Sequence, residues 1–382
     1  MKNFSLVELE ALKLIELGRG KVISKKDLNA NPGNYPVYSS AKTGGGVFGT
    51  WGNYDFNEEM ITWSVDGGGD LFHRNKHKFS ITNVGGFIRV LDKNRINTKY
   101  LYYALKNLHN GINFDWVKKA HPSVLRKEYN YIPVPSLQEQ EKIVERLDEV
   151  FENIDKLTQD LTKSIKNSKN LFFSFLNETF RGNGSEDLIE LEKLSTYISR
   201  GLQPKYTDKS KTLVINQRCI RDNQINFEVS RYHDQNIKKV SDDKKIQIGD
   251  ILINSTGVGT LGRVAQVTEL PSSDVTVDTH VTIFRPNFNI LNKEFTNWLF
   301  IYLENLIEKM GVGASGQTEL RREDLKNMKI INPPNEKIQQ NISDKLNNLK
   351  NPYDNYLRLK EDLIIKYSML RKSILDKEFS HE

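Results

Sequence analysis

Residues 131–157 read YIPVPSLQEQEKIVERLDEVFENIDKL, and from Ser136 onward neither proline nor glycine occurs until Gly182. The apolar positions Val150, Ile154, Leu157 and Leu161 fall in alternating steps of four and three, the spacing that keeps one seam of a helix turned toward a partner helix. Pro133 and Pro135 hold the backbone extended just upstream. Ser136, followed three residues later by Glu139, forms a capping-box start, so the spacing predicts a helix from about Leu137 to Arg181. At 1.5 Å per residue such a helix is a rod on the order of 60 Å long. A rod of that length needs something to lie against.

The same chain supplies it. From Ile331 the sequence runs INPPNEKIQQNISDKLNNLKNPYDNYLRLKEDLIIKYSMLRKSILDKEF, and Pro135–Ile143 matches Pro334–Ile342 in spacing at an offset of 199 (334 minus 135). At that offset Leu147 falls on Leu346, Leu171 on Leu370, Leu176 on Leu375 and Phe180 on Phe379. The second seam reads Leu346, Leu349, Tyr353, Tyr356, Leu363, Tyr367, Leu370 and Ile374, with Lys360 as a polar interruption. Pro352 removes a backbone donor inside it and is expected to kink or restart the rod.

The repeat reaches beyond the helices. Val7-Glu-Leu-Glu-Ala-Leu12 recurs as Ile189-Glu-Leu-Glu-Lys-Leu194; Ile96-Asn97 with Tyr100 recurs as Leu291-Asn292 with Phe295; and Ser123-Val-Leu-Arg-Lys-Glu128 recurs as Thr318-Glu-Leu-Arg-Arg-Glu323. A unit of globular domain plus long helix is therefore present twice, giving domains at 1–130 and 182–331 and helices at 131–181 and 332–382. Short apolar runs between glycine clusters, such as Met60–Trp63, Phe87–Val90, Asp250–Asn254, Arg263–Val267 and Val281–Phe284, predict strands; Thr98–Leu108 and Lys293–Leu306 predict short helices. The fold class is α+β: two mixed, mainly β domains and two long helices forming an antiparallel coiled coil, with an internal pseudo-twofold repeat.

Composition narrows the function. The 382 residues carry 55 Lys+Arg against 49 Asp+Glu, a net charge of +6, which favours a polyanionic partner. One cysteine excludes a disulfide framework and a Cys-rich zinc site. No run is apolar enough for a membrane span and the N-terminus lacks the features of a secretory signal, so a cytoplasmic protein is expected. Gly257-Val-Gly-Thr-Leu-Gly262 fits a dinucleotide fingerprint, yet a strand and not a helix follows, so it reads as a turn between strands. Asn332-Pro-Pro-Asn335 is similar to the tetrapeptide with which adenine methyltransferases hold a flipped base, but it lacks the final aromatic residue and reads as the lead-in to a helix. His73 and His77 sit in a glycine-rich context that argues for a loop and against a metal site.

Basic residues interleaved with aromatic and amide side chains mark candidate DNA contacts: Arg19, Lys21, Lys42, Lys76, Lys118, Lys119 and Arg126, with Lys205, Lys209, Gln217, Arg218, Arg221 and Arg321 in the second domain. Lys and Arg neutralise phosphates, while Gln and Arg make paired hydrogen bonds to base edges, so Gln217, Arg218 and Arg221 form a candidate reading cluster.

Three stretches carry a family resemblance: the proline pair and helix start Ile132–Ile143, the strand and turn Gly249-Asp-Ile-Leu-Ile-Asn-Ser-Thr-Gly257, and Tyr100-Leu-Tyr-Tyr-Ala-Leu105. Together with the doubled plan, these make nearly the whole chain resemble the specificity subunit of Type I restriction-modification systems. The second proline segment departs from the family pattern, with Asn335-Glu-Lys at the helix start. The resemblance implies a non-catalytic chain whose two target-recognition domains each read half of a bipartite, asymmetric site in double-stranded DNA. It also implies partners: two methyltransferase subunits gripping the helices, and restriction subunits that translocate and cleave. S-adenosylmethionine, ATP and magnesium would bind those partners, and no cofactor this chain. The rival readings are a self-contained DNA adenine methyltransferase and a coiled-coil scaffold that reads no DNA.

Overall fold

The computed structural model describes every residue except 1, 41–43, 67–69, 116, 183–186, 273, 313–317 and 380–382. Its contacts divide the chain into two units, one of residues 1–162 with 360–382 and one of residues 163–359, so the division falls inside both long helices.

In the first unit, β1 (Lys2–Phe4), α1 (Leu6–Ala11), β2 (Ile15–Arg19), α2 (Lys25–Ala30), β3 (Tyr35–Tyr38), β4 (Val47–Trp51), β5 (Phe56–Ser64), β6 (Leu71–Ile81) and β7 (Gly85–Val90) lead into α3 (Thr98–Asn110), α4 (Pro122–Glu128) and β8 (Ile132–Val134). The long helix α5 (Leu137–Arg181) follows. The main sheet has the order β2-β7-β5-β6-β3-β4, antiparallel except where β3 joins β6 in parallel. One core gathers Ile61, Trp63 and Ile88 of that sheet with Tyr100, Leu101 and Leu105 of α3 and with Leu147, Phe151 and Ile154 of α5.

In the second unit the strands are β9 (Leu188–Glu190), β10 (Ser195–Arg200), β11 (Tyr206–Thr207), β12 (Thr212–Ile215), β13 (Ile220–Arg221), β14 (Gln224–Ile225), β15 (Arg231–His233), β16 (Ile251–Asn254), β17 (Val264–Gln266), β18 (Val275–Val277) and β19 (Val281–Pro286). They are followed by α6 (Lys293–Lys309), α7 (Arg322–Lys326), β20 (Lys329–Ile331) and the long helix α8 (Glu336–Phe379). The order β10-β19-β16-β17 repeats β2-β7-β5-β6, and β12 joins β18 in parallel as β3 joins β6. The pairs β1–β8 and β9–β20 close the two units in the same way. The repeat thus holds at the level of topology, with the eleven residues of β6 split between β17 and β18 in the second unit.

A buried glutamine ties each unit together. The Gln140 side-chain amide donates to the carbonyls of Arg95 and Pro135, both at 2.9 Å, and its oxygen accepts the Asn97 N–H at 2.8 Å. Asn97 in turn caps α3 through the N–H groups of Lys99 and Tyr100. In the second unit Gln339 donates to the carbonyls of Ile290 and Pro334 and accepts from Asn292, which caps α6. Both glutamines are sealed from solvent, at 0 % and 1 % exposure, where an unpaired amide would be costly. At α5 the Ser136 hydroxyl does accept the Glu139 N–H at 3.3 Å, so the cap forms with Gln140 reinforcing it.

The long helices lie antiparallel within each unit. In the first, Arg146 pairs with Glu378 at 2.5 Å and Asp155 with Arg371; in the second, the Ser164 and Tyr356 hydroxyls hydrogen-bond and Phe172 stacks on Tyr353 with ring centres 4.4 Å apart. Their inward face differs from the seam read in the sequence. Leu157, Leu349, Leu363 and Leu370 are exposed, whereas Val150, Ile154, Leu161, Leu346, Tyr353 and Tyr356 face inward. The partly or fully buried line on α5 runs Phe151, Ile154, Thr158, Leu161, Ile165, Ser168 and Phe172; on α8 it runs Leu357, Lys360, Ile364, Tyr367, Arg371 and Ile374. The core contacts of Phe151 and Ile154 at one end of α5, and of Phe172 and Leu176 at the other, set its rotation and turn Thr158 inward in place of Leu157. Two further expectations change. Pro352 does not restart α8, which is one helix from Glu336 to Phe379. His73 and His77 lie on β6, not on a loop, and are engaged by Glu59 and by the Tyr38 hydroxyl.

Candidate nucleic-acid interface

The candidate cations fall into two groups once their partners are known. Several are struts within the fold. Arg126 on α4 grips Glu10 with two nitrogens at 2.6 and 2.8 Å; Lys118 pairs with Glu128, Lys119 with Asp66, Lys21 with Asp55 and Arg321 with Asp324. The Glu10 carboxylate raises the Arg126 guanidinium further above its ordinary value, so this cation stays charged while its charge is already compensated. The second group, Lys76, Lys205, Lys209, Arg218 and Arg221, is exposed and makes no ion pair among the described residues. Lys42 lies outside the described residues.

Arg19 belongs to a device the sequence did not reveal. It donates to the Asn83 carbonyl and approaches the His121 imidazole at 3.5 Å, tying the end of β2 to the segment before α4. Arg200, at the end of β10, bonds Glu319 and the Leu320 carbonyl ahead of α7. In both units glycine follows the arginine, and a Cβ there would sit 2.1 Å from the Ile81 oxygen at Gly20 and 1.9 Å from the Val277 oxygen at Gly201. Only glycine lets the two backbone segments approach this closely.

Gln217, Arg218 and Arg221 are neighbours around a short hairpin. β13 and β14 pair Arg221 opposite Gln224, and the turn residues Asp222 and Asn223 both have positive φ, 52° and 59°, as a two-residue hairpin turn requires. The Asn223 amide pins the tip to the Val264 carbonyl and the Glu304 carboxylate. Arg221 stands between two shallow grooves, one lined by Glu304 and Glu308 and the other by Glu228 and Glu269. Burial pushes the Glu304 carboxyl above its ordinary value. Arg218 is exposed, while the Gln217 backbone carbonyl accepts from the buried Asn254. Around Arg221 the carboxylates Glu228, Glu269, Glu304 and Glu308 are accompanied by a second cation, Arg263.

The tempting motifs resolve structurally. Gly257, Gly259 and Gly262 have positive φ in the turn that joins antiparallel β16 and β17. Asn335 accepts the Ile338 N–H in the first turn of α8, so Asn332-Pro-Pro-Asn335 is a helix start. Among the described residues no group of three or more His, Cys, Asp or Glu is placed to hold a metal, and no helix is long and apolar enough to cross a membrane.

Comparison with known proteins covers most of the chain. The sequence model of one family, described as "Type I restriction modification DNA specificity domain", matches residues 4–167 and 186–362. A Mycoplasma pneumoniae chain named as a type I specificity subunit is 38% identical over 168 residues, covering 43% of this chain and 52% of its own length. Another from the same organism is 28% identical over 340 residues, covering 86% of this chain and 85% of that one. The match spans only about half the length of the first of these relatives. A solved chain from a study described as the "structural basis underlying complex assembly and conformational transition of the type I R-M system" superposes with a TM-score of 0.67 at 15% identity, covering 96% of this chain and 97% of that one. At that identity the likeness shows the fold alone.

Proposed function

Because the chain belongs to the family of type I restriction-modification DNA specificity domains, we propose that it is a non-catalytic specificity subunit that reads a bipartite, asymmetric sequence in double-stranded DNA. The observation that carries this reading is the doubling: each unit repeats one sheet order, one capped helix and one buried glutamine, while the loops and outer strands differ. A shared frame with divergent surfaces is what two separate readers in one chain require. Methyltransferase subunits would dock on the long helices, where Leu171, Leu359, Ile365 and Met369 are exposed apolar side chains. Restriction subunits would join that assembly in the cytoplasm, and S-adenosylmethionine, ATP and magnesium would bind these partners and not this chain. A self-contained methyltransferase is disfavoured because the Asn-Pro-Pro-Asn segment is spent on starting a helix.

The test is a domain exchange. Residues 182–331 are replaced by the corresponding domain of a relative, and the assembled complex is assayed by sequencing the methylated sites. One half of the recognised sequence should change while the other stays. A change in both halves would show that the domains do not read independently.

A further inference from the structure

The excess positive charge of this chain lies outside its long helices. α5 carries nine acidic and seven basic side chains and α8 seven acidic and nine basic, so the two balance and the +6 belongs to the remainder. In that remainder, each unit independently holds one cation on exposed tyrosine beside the strand that joins its sheet in parallel. In the first unit Lys78 of β6 lies over the rings of Tyr54 and Tyr35, at 4.7 and 5.4 Å, and the two rings meet edge to face at 5.1 Å. In the second unit the Arg231 guanidinium of β15 lies 3.5 Å from the centre of the Tyr206 ring. Tyr54 and Tyr206 are 42 % and 40 % exposed.

We propose that Lys78 and Arg231 are phosphate contacts and that these two tyrosine-backed edges, one per unit, are where each unit meets the DNA duplex backbone. Three features separate them from ordinary surface cations. Neither makes an ion pair among the described residues, unlike Lys21, Lys118, Lys119 and Arg126, so each presents an uncompensated charge. Each lies against an aromatic face that attracts the cation, and the N–H groups of Lys78, with those of Arg231 beyond its contact with the Tyr206 hydroxyl, remain available for phosphate oxygens. Each also has basic company: Arg74 and Lys76 in the run Arg74-Asn-Lys-His-Lys78, and Lys205, Lys209 and Lys211 around β11. Neither cation stands out in the sequence, because the tyrosines beneath them come from other segments of the chain.

This inference rests on the DNA-binding reading, and its test separates the two. Full-length protein is titrated into a labelled duplex of mixed sequence, about 30 base pairs long, between about 50 and 200 mM salt. Each phosphate contact contributes a slope of about 0.9 in log affinity against log salt, or about 3.5-fold over that fourfold range. Lys78→Gln and Arg231→Gln should each shrink the salt-dependent loss of affinity by about 3.5-fold, and the double variant by about 12-fold. Lys78→Arg should keep the wild-type slope, and so should Lys166→Gln on α5. Wild-type slopes in both Gln variants, with duplex binding intact, would overturn the proposed contacts and leave DNA reading standing. A loss confined to single-stranded oligonucleotide would overturn them as duplex contacts. Absence of salt-dependent binding by the wild-type chain would overturn the DNA-binding reading itself.

Discussion

At the scale of single residues the two units keep geometry while exchanging chemistry. Lys99 and the Tyr103 hydroxyl both donate to Asp148; at the matching places in the second unit Trp298 donates to Asn347, whose amide donates to Glu294. The triangle survives with donors and acceptors redistributed, whereas Gln140 and Gln339 are identical, because only an amide both donates to carbonyls and accepts from a backbone N–H. Gln140→Leu should therefore destabilise the protein by roughly 3 kcal/mol, since it strands a buried N–H and two carbonyls; urea unfolding would measure it, and a loss under about 1 kcal/mol would mean that water takes the amide's place. His109 offers a pH test. It is buried against Phe114 and hydrogen-bonded to the Tyr129 hydroxyl at 2.7 Å; burial first, then the Lys106 charge, lowers it to about 4. An unfolded chain takes up this proton near pH 6.5, so the stability held by neutral His109 is intact above that pH and is lost as pH falls toward 4. The loss should be on the order of 3 kcal/mol. His109→Phe should flatten the pH dependence of the unfolding midpoint over that window.

At the scale of elements, the long helices and their caps were legible because proline pairs, capping residues and uninterrupted helix formers act locally. Five strands, β5, β7, β16, β17 and β19, were legible for the same reason, as short apolar runs between glycines, whereas the His73–His77 stretch of β6 was taken for a loop. What was not legible depends on distant partners. Glu10 lies 116 residues from Arg126 and Asp55 34 residues from Lys21, so these cations could not be recognised as struts. At Leu157, Leu349, Leu363 and Leu370 the seam was misread by about one residue, because apolar identity was followed where rotation is imposed by the cores at the helix ends. This corrected seam makes a sharp distinction between neighbours. Ile154→Ala should cost about 2–4 kcal/mol as a core truncation, while Leu157→Lys should change stability by no more than about 0.5 kcal/mol. Equal effects in thermal unfolding would return Leu157 to the buried face.

At the scale of the whole molecule, the second unit is one unbroken stretch, residues 163–359, whereas the first is assembled from 1–162 and 360–382. Leu375 and Phe379, from the far end of the sequence, are buried in the core of the first unit. Removing residues 360–382 should therefore leave 163–359 resistant to limited proteolysis and expose 1–162 to digestion; equal protection of both would show that the returning helix is dispensable. The same connectivity sets a timetable for synthesis. Of the two units, the one begun earlier holds an open hydrophobic face until Phe379 has been added, while residues 163–359 close as soon as Leu359 emerges. A ribosome that stalls in α8 beyond Leu359 thus releases a chain in which residues 1–162 are unfinished and residues 163–359 complete, so quality control would act on residues 1–162 for errors made far downstream.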